Sequence, residues 1–418
     1  MTEDPIVSRL EILLQQDRLS DAEKVLKELL SEDPNNIDFL RLLAELKLQQ
    51  DQSERALSIV DQAIGLAPDY AILFYLKARI LMHQPKLKEA EEQIRLAITL
   101  EPNEGEYFAI LAHIKLGRKE YKEALEQANQ ALTLAPESIL ALNARSSALV
   151  KLDKGDEAFA TIEGALREDP TNPYTHANYG WSLLEQGNHK KAMFHFKEAL
   201  QIDPNFEYAQ GGMLEAIKAK NPFYRLFLRY SFWMGNLTSK YQWGVIIGFY
   251  LIFRVLRNVA RNNEDLQVYL NPILIALFIL VMSTWVITPI SNVFLRFNGY
   301  GKLLLDKKEK MSSSFVGFSL LTCLIALLLY FIFHDNSYLV LAAFGFAMML
   351  PYGSMFVESK FKHFFLIYAI TMTLIGLTAL GISFSSGVNI NGASFLFLLG
   401  FIAFQWLANF FAIKESNQ

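Results

Sequence analysis

A single cysteine, Cys323, serves all 418 residues. One thiol excludes an internal disulfide and any metal centre built from several thiolates; in its apolar run Cys323 reads as a packing residue. Histidine is scarce as well, seven in all. Neither the His334–Asp335 pair nor Glu358 with His363 supplies the three or four convergent ligands that a metal site needs. HExxH, GxSxG, GxxxxGK[ST] and GxGxxG do not occur in a usable context. No catalytic site, no metal and no cofactor is therefore expected. The formal net charge of -4 offers no basic footprint for nucleic acid. A further absence is local: from Phe364 to Ile413 there is no Asp, Glu, Lys or Arg. Soluble cores seldom run so far without charge, whereas lipid-embedded helices require it. The opening stretch, MTEDPIVSRLEILLQQD, is acidic and has no long apolar run, unlike a secretory signal.

What is present divides in two. Of the 32 phenylalanines, 25 follow residue 220. Before that point the chain repeats. Prolines recur at 34, 68, 102, 136, 170 and 204. Small residues keep the same period at Ala22, Ala56, Ala90, Ala124, Ala158 and Ala192. A third series runs Leu29, Ala63, Ala97, Ala131, Ala165, Ala199, and a fourth Ala44, Ala78, Ala112, Ser146, Gly180. Each unit holds two stretches with apolar residues every three or four positions, as in AILFYLKARILMHQ and KLKEAEEQIRLAITLEP. The spacing predicts paired helices, packed closely where a side chain is nearly absent and closed by a proline that fits a turn. One such pair cannot bury its own apolar face, so the units must stack into a solenoid.

The small residue in the first helix, the alanine pair in the second and the closing proline resemble the tetratricopeptide repeats, over about residues 3 to 206. The usual large aromatic early in the first helix is present only as Phe74 and Phe108, with Leu40, Leu142 and His176 elsewhere. Leu10, where a small residue is expected, suits a terminal cap. The resemblance implies a protein-binding scaffold. Arg41, Tyr75, Arg79, His113, Asn143, Tyr174, Asn178 and Trp181 are expected on the concave groove lined by the first helices. Tyr and Trp would anchor a partner peptide or helix, and Arg and Asn would bind its backbone or a carboxylate. The alternative is that Tyr174 and Trp181 pack against neighbouring elements.

The fold class expected is all-α: a tetratricopeptide-like solenoid over residues 1–221, a linker helix over 222–240, and a polytopic membrane domain over 241–418. In the linker, FYRLFLRYSFWMGN mixes Arg225 and Arg229 with Trp233 and other aromatics. As a helix it would lie in the lipid interface, or else pack on the end of the solenoid. Clear spans are 269–290, 313–333, 338–356, 364–385 and 394–413. A sixth, 241–260, is shorter in apolar length and contains Arg254, an intramembrane polar residue. Arg296, Lys302, Lys307, Lys308 and Lys310 mark one loop as cytoplasmic; Lys360, Lys362 and Lys414 agree, and the loops on the other side carry no Lys or Arg. Six spans put the repeats and both termini in the cytoplasm. Five would put the repeats outside with no signal to export them.

Thr284, Trp285, Thr288, Tyr352, Ser354, Gln405 and Asn409 are the polar residues that could line a groove among the spans. Two functions follow. One is a membrane-anchored scaffold or assembly factor, in a bacterial inner membrane, touching protein partners, lipid and a possible second integral protein. The other is a transporter or channel regulated by its repeats.

Overall fold

The computed structural model describes residues 18–84, 86–296, 305–356 and 363–415, with positions 6, 9, 10, 12, 13 and 16 before them. Among these residues every regular element is an α-helix and no strand occurs. Contacts divide the chain into two compact units, residues 1–182 with 201–204, and residues 183–200 with 205–417.

The first unit is built from α1 (Leu19–Glu32), α2 (Ile37–Gln49), α3 (Ser53–Leu66), α4 (Ala71–His83), α5 (Leu87–Leu100), α6 (Gly105–Gly117), α7 (Tyr121–Leu134), α8 (Ile139–Lys151), α9 (Gly155–Glu168) and the start of α10 (Pro173–Glu185). The repeated prolines lie in the turns between units. Two residues after three of them, a polar side chain caps the next helix: Asn36 accepts from the Phe39 amide, Ser138 from Ala141 and Asn172 from Thr175. The periodic alanines, Ala22 to Ala165, are fully buried, with Leu26, Val60, Ile94 and Ile162 sealed between them. Several of the turns inside the helix pairs use a left-handed residue. Asp51, Lys119 and Asp153 take that conformation, with φ of 57°, 62° and 59°. Pro85, in the same register, lies outside the described residues.

One joint between consecutive helices alternates in character. Buried Lys47 on α2 pairs with Glu23 on α1 at 2.7 Å. In the next joint the same two positions are Leu57 and Leu81, packed in one apolar cluster. Then come Glu91 and buried Lys115, 3.0 Å apart, and then Leu125 packed against the cluster of Leu149. Lys115 also reaches Glu120 and Glu123, while Arg95 and Arg118 close on Glu91. Both cations are buried but none of their charge is left alone, which is the condition under which a buried ion survives.

In the second unit, α11 (His189–Ile202) and α12 (Glu207–Lys218) make a further pair. Gly212 is required there: a Cβ would sit 2.2 Å from the ring of Phe196, which is fully buried. α13 (Pro222–Asn236) starts on Pro222, with the Asn221 side chain accepting from the Phe223 amide. Five long helices follow: α14 (Ser239–Asn262), α15 (Glu264–Arg296), α16 (Lys307–Phe333), α17 (Ser337–Ser354) and α18 (Phe364–Ser386), and then α19 (Gly392–Glu415). From α14 onward each touches the next in sequence. α16 and α17 approach closely at Gly345, where a Cβ would lie 2.8 Å from the Cys323 amide nitrogen and 2.9 Å from the Ser319 carbonyl. Ser319 Oγ donates to the Gly345 carbonyl at 2.7 Å, and Tyr368 Oη to Gly400 at 2.7 Å. Small residues and short hydroxyl bonds hold these helices together.

Among the described residues four helices are long and apolar enough to cross a membrane: Ser239–Asn262, Lys307–Phe333, Ser337–Ser354 and Phe364–Ser386. The expected span 269–290 lies within the 33-residue α15, which runs through Pro272 and Pro289 without ending. Many of its side chains, like those of 408–415 in α19, lie outside the described set, and so do the loop residues Lys302, Lys360 and Lys362 and the side chain of Lys414. A count of six is therefore not reached.

Candidate protein-interaction surface

The first helices of successive repeats touch one another, α2 with α4, α4 with α6 and α6 with α8. A common position on them carries Glu45, Arg79, His113, Ser147 and Trp181, each 34 residues from the next. This repetition turns a sequence period into a row of side chains.

The row is tied together. Glu45 binds Arg41 through one carboxylate oxygen at 3.3 Å and Arg79 through the other at 3.0 Å. The Arg79 guanidinium lies over the ring of Tyr75, 5.4 Å from its centre. Tyr75, buried, donates to Glu106 at 2.8 Å, and burial beside these acids pushes its phenol above the ordinary range. His113 donates from Nε2 to the Leu140 carbonyl at 3.2 Å and meets the Tyr174 ring edge-on. Burial pushes its imidazole below the usual histidine range, against the opposing pull of that carbonyl. Asn143 and Asn178 are both buried. Asn143 donates to Thr175 at 2.8 Å, Asn178 donates to Asn143 at 3.0 Å, and Ser147 donates to Asn178 at 3.0 Å.

All eight residues expected on the groove thus fall on these neighbouring helices, but they differ in what they offer. The two asparagines spend their amides on neighbouring helical residues, Asn143 donating to Thr175 and Ile139 and Asn178 to Asn143. Arg41 and Arg79 are half-buried and share one carboxylate. Tyr174 keeps 38% of its surface exposed, and Trp181 is half-buried. Glu45, Glu106 and Thr175 belong to the same network and were not anticipated. Their signal was available, since Glu45 stands one period before Arg79. Chemically the row presents an aromatic ring beside balanced charge.

In the second unit the expected interfacial residues lie on α13. Its Tyr224 and Leu228 are buried, Tyr224 donating to Glu215 at 2.6 Å with Lys218 over its ring. Arg225 donates to the Ala219 carbonyl, and Arg229 lies against Gly187. The opposite face leaves Phe223, Leu226, Tyr230 and Trp233 open. Arg254, the polar residue of the 241–260 segment, lies on α14 and is exposed. Among the polar residues considered for a groove, Tyr352 is engaged with Thr373 and Ser354 with the Leu350 carbonyl. The side chains of Thr284, Trp285, Thr288 and Asn409 lie outside the described residues.

Tetratricopeptide-repeat profiles match residues 13–80, 111–173 and 173–206. Among solved structures, a tetratricopeptide repeat protein from Parabacteroides merdae is 19% identical over 51% of this chain and 83% of its own, with a TM-score of 0.46. A thermophilic repeat protein of Thermus thermophilus is 18% identical over 43% of this chain and 98% of its own, at 0.41. YrrB, described as a repeat protein with an unusual peptide-binding site, is 22% identical over 44% and 96%, at 0.32. No curated protein matches the chain. With the 34-residue period, the paired helices and the three profile matches, residues 13–80, 111–173 and 173–206 are tetratricopeptide repeats.

Proposed function

We propose that the protein is a membrane-anchored scaffold or assembly factor whose repeats capture a protein partner along the first helices. The observation that carries this reading is the joining, in one chain, of tetratricopeptide repeats with four helices long and apolar enough to cross a bilayer. Such repeats typically serve non-enzymatic interaction scaffolds. The exposed ring of Tyr174, with Arg79 and Trp181 in the same row, is the anchor for a peptide or helix laid across the repeats. The membrane helices fix that partner near lipid and offer a surface to a second, integral protein. Arg296, Lys307, Lys308 and Lys310 support a cytoplasmic face for their loop and for the carboxyl terminus, and with α14 as a sixth span the repeats share that side of a bacterial inner membrane.

Affinity capture of the full chain in mild detergent, followed by mass spectrometry, tests the partner. A Tyr174→Ala/Arg79→Ala variant of unchanged abundance should lose a protein that the natural chain retains. An identical set of captured proteins from the folded double variant would reject this surface. Protease added to sealed inverted vesicles should cleave the repeat half; full protection would place it on the other side.

A further inference from the structure

α14 carries Arg254, Arg257 and Arg261, at spacings of three and four residues that set all three on one face. All three are exposed, whereas Gln242 and Ala260 are the residues that α14 buries. Among the described residues none of the three forms an ion pair or a side-chain hydrogen bond. Arg41, Arg79, Arg95, Arg118, Arg145, Arg225 and Arg296 each have such a partner. The row stands beside exposed apolar surface: Tyr250, Leu251, Ile252 and Val255 are each more than half open. A soluble anion could satisfy the charges and leave that apolar surface wet. A phospholipid satisfies both.

Length makes the same point. Between Lys240 and Arg254 lie thirteen residues without charge, Tyr241 to Phe253. At 1.5 Å per residue they extend ~20 Å, short of the ~30 Å hydrocarbon core. Whether α14 crosses a locally thinned bilayer or lies along the surface, the arginine row, ~10 Å from first to last, falls at the boundary between acyl chains and head groups. Three uncompensated charges there are costly unless phosphates come to meet them, and the planar guanidinium fork is matched to phosphate oxygens. The dipole at the helix end accounts for Arg261 alone, since its effect fades within the last turn.

We infer that Arg254, Arg257 and Arg261 form a binding row for the phosphates of anionic phospholipid head groups. This rests on the reading that the second unit is embedded in a bilayer. The row would select acidic lipids around the helix that follows the repeats, and so couple the scaffold to the lipid composition of its membrane.

Native mass spectrometry of the full chain, released from detergent after addition of phosphatidylglycerol or phosphatidylcholine in equal amounts, tests it. The natural chain should keep phosphatidylglycerol in at least threefold excess over phosphatidylcholine. Arg254→Gln/Arg257→Gln/Arg261→Gln should bring the ratio near one, and the triple lysine variant should restore most of it. Lys307→Gln/Lys308→Gln should leave the ratio unchanged. If the triple glutamine chain does not fold, the three single glutamine variants are compared; each should lower the ratio. An unchanged ratio in the glutamine variants overturns the row while leaving the membrane reading intact. A natural chain that retains neither lipid and stays monodisperse without detergent overturns the membrane reading itself.

Discussion

Replacing Glu23 with leucine removes the carboxylate that neutralises Lys47. The lysine side chain is only 6% exposed, and beyond Glu23 its other described partner is the Gln50 amide oxygen at 3.0 Å. Breaking a buried pair from one side costs about 3–5 kcal/mol, because the remaining charge is stranded. Lys47→Leu should cost less, about 1–2 kcal/mol, since Glu23 keeps Lys27 at 2.7 Å in a more exposed position. Making both changes recreates the Leu57 and Leu81 joint found one repeat later. The double variant should lie within about 1 kcal/mol of the natural chain, because an apolar pair of suitable volume commonly matches a buried ion pair. Hydrogen exchange of the full chain in detergent reads this locally, over the helices at 19–32 and 37–49. Protection there should fall roughly a hundredfold or more in Glu23→Leu and recover in the double variant. The pH dependence supplies a second reading. Lys27 and Lys47 hold the Glu23 carboxyl down to about 2. Its contribution is present above the ordinary glutamate range and is lost as pH falls toward 2, so the double variant should be the flatter of the two between pH 5 and 3. Additive single effects, or a Glu23→Leu cost below about 0.5 kcal/mol, would refute the argument that the lysine is held by its carboxylate.

Four further outcomes are expected. Lys119→Gly should raise the thermal midpoint of the repeats, by about 0.5–1 kcal/mol of stability, because Lys119 takes a left-handed turn with φ of 62°. Gly212→Val should destabilise the α11 and α12 pair by about 1–3 kcal/mol, and Phe196→Leu should recover part of it, since the new Cβ would enter the Phe196 ring; hydrogen exchange over 189–218 reports both. His113→Gln should flatten the pH dependence of exchange in α6 and α8. The imidazole is held below its ordinary range, so the unfolded chain takes the proton first and stability falls as pH drops below about 6.5. Gly345→Ala should loosen the hairpin of α16 and α17 and increase the reaction of Cys323 with a thiol reagent, because the methyl would press on the Cys323 backbone at 2.8 Å.

Much of the first unit was legible because its information is periodic. Ala22, Ala56 and Ala90 say where helices touch, and Pro34, Pro68 and Pro102 say where units end. The groove was legible only in outline. Periodicity puts Asn143 and Asn178 on the right helices, yet whether an amide faces a ligand or its neighbour depends on the angle between helices, which no single repeat records. The exposed turn of Arg254 was hidden for a similar reason: composition places it in an apolar helix but does not rotate the helix. The pairing of Glu23 with Lys47 could have been read, because both recur as Leu57 and Leu81 one period later and as Glu91 and Lys115 after two. Local turn chemistry at Lys119 could not, since lysine gives no hint of a left-handed backbone.

The alternating joints decide how such an array can grow or shrink. Excising one proline-bounded unit, residues 37–70, would bring Glu23 opposite Leu81 and leave its carboxylate with Lys27 in place of two cations. Excising residues 53–86, the second helix of one unit with the first of the next, would leave Glu23 facing Lys47 and Glu91 facing Lys115. The unit that can be removed with both ion pairs intact is thus offset by half a repeat from the one its prolines outline.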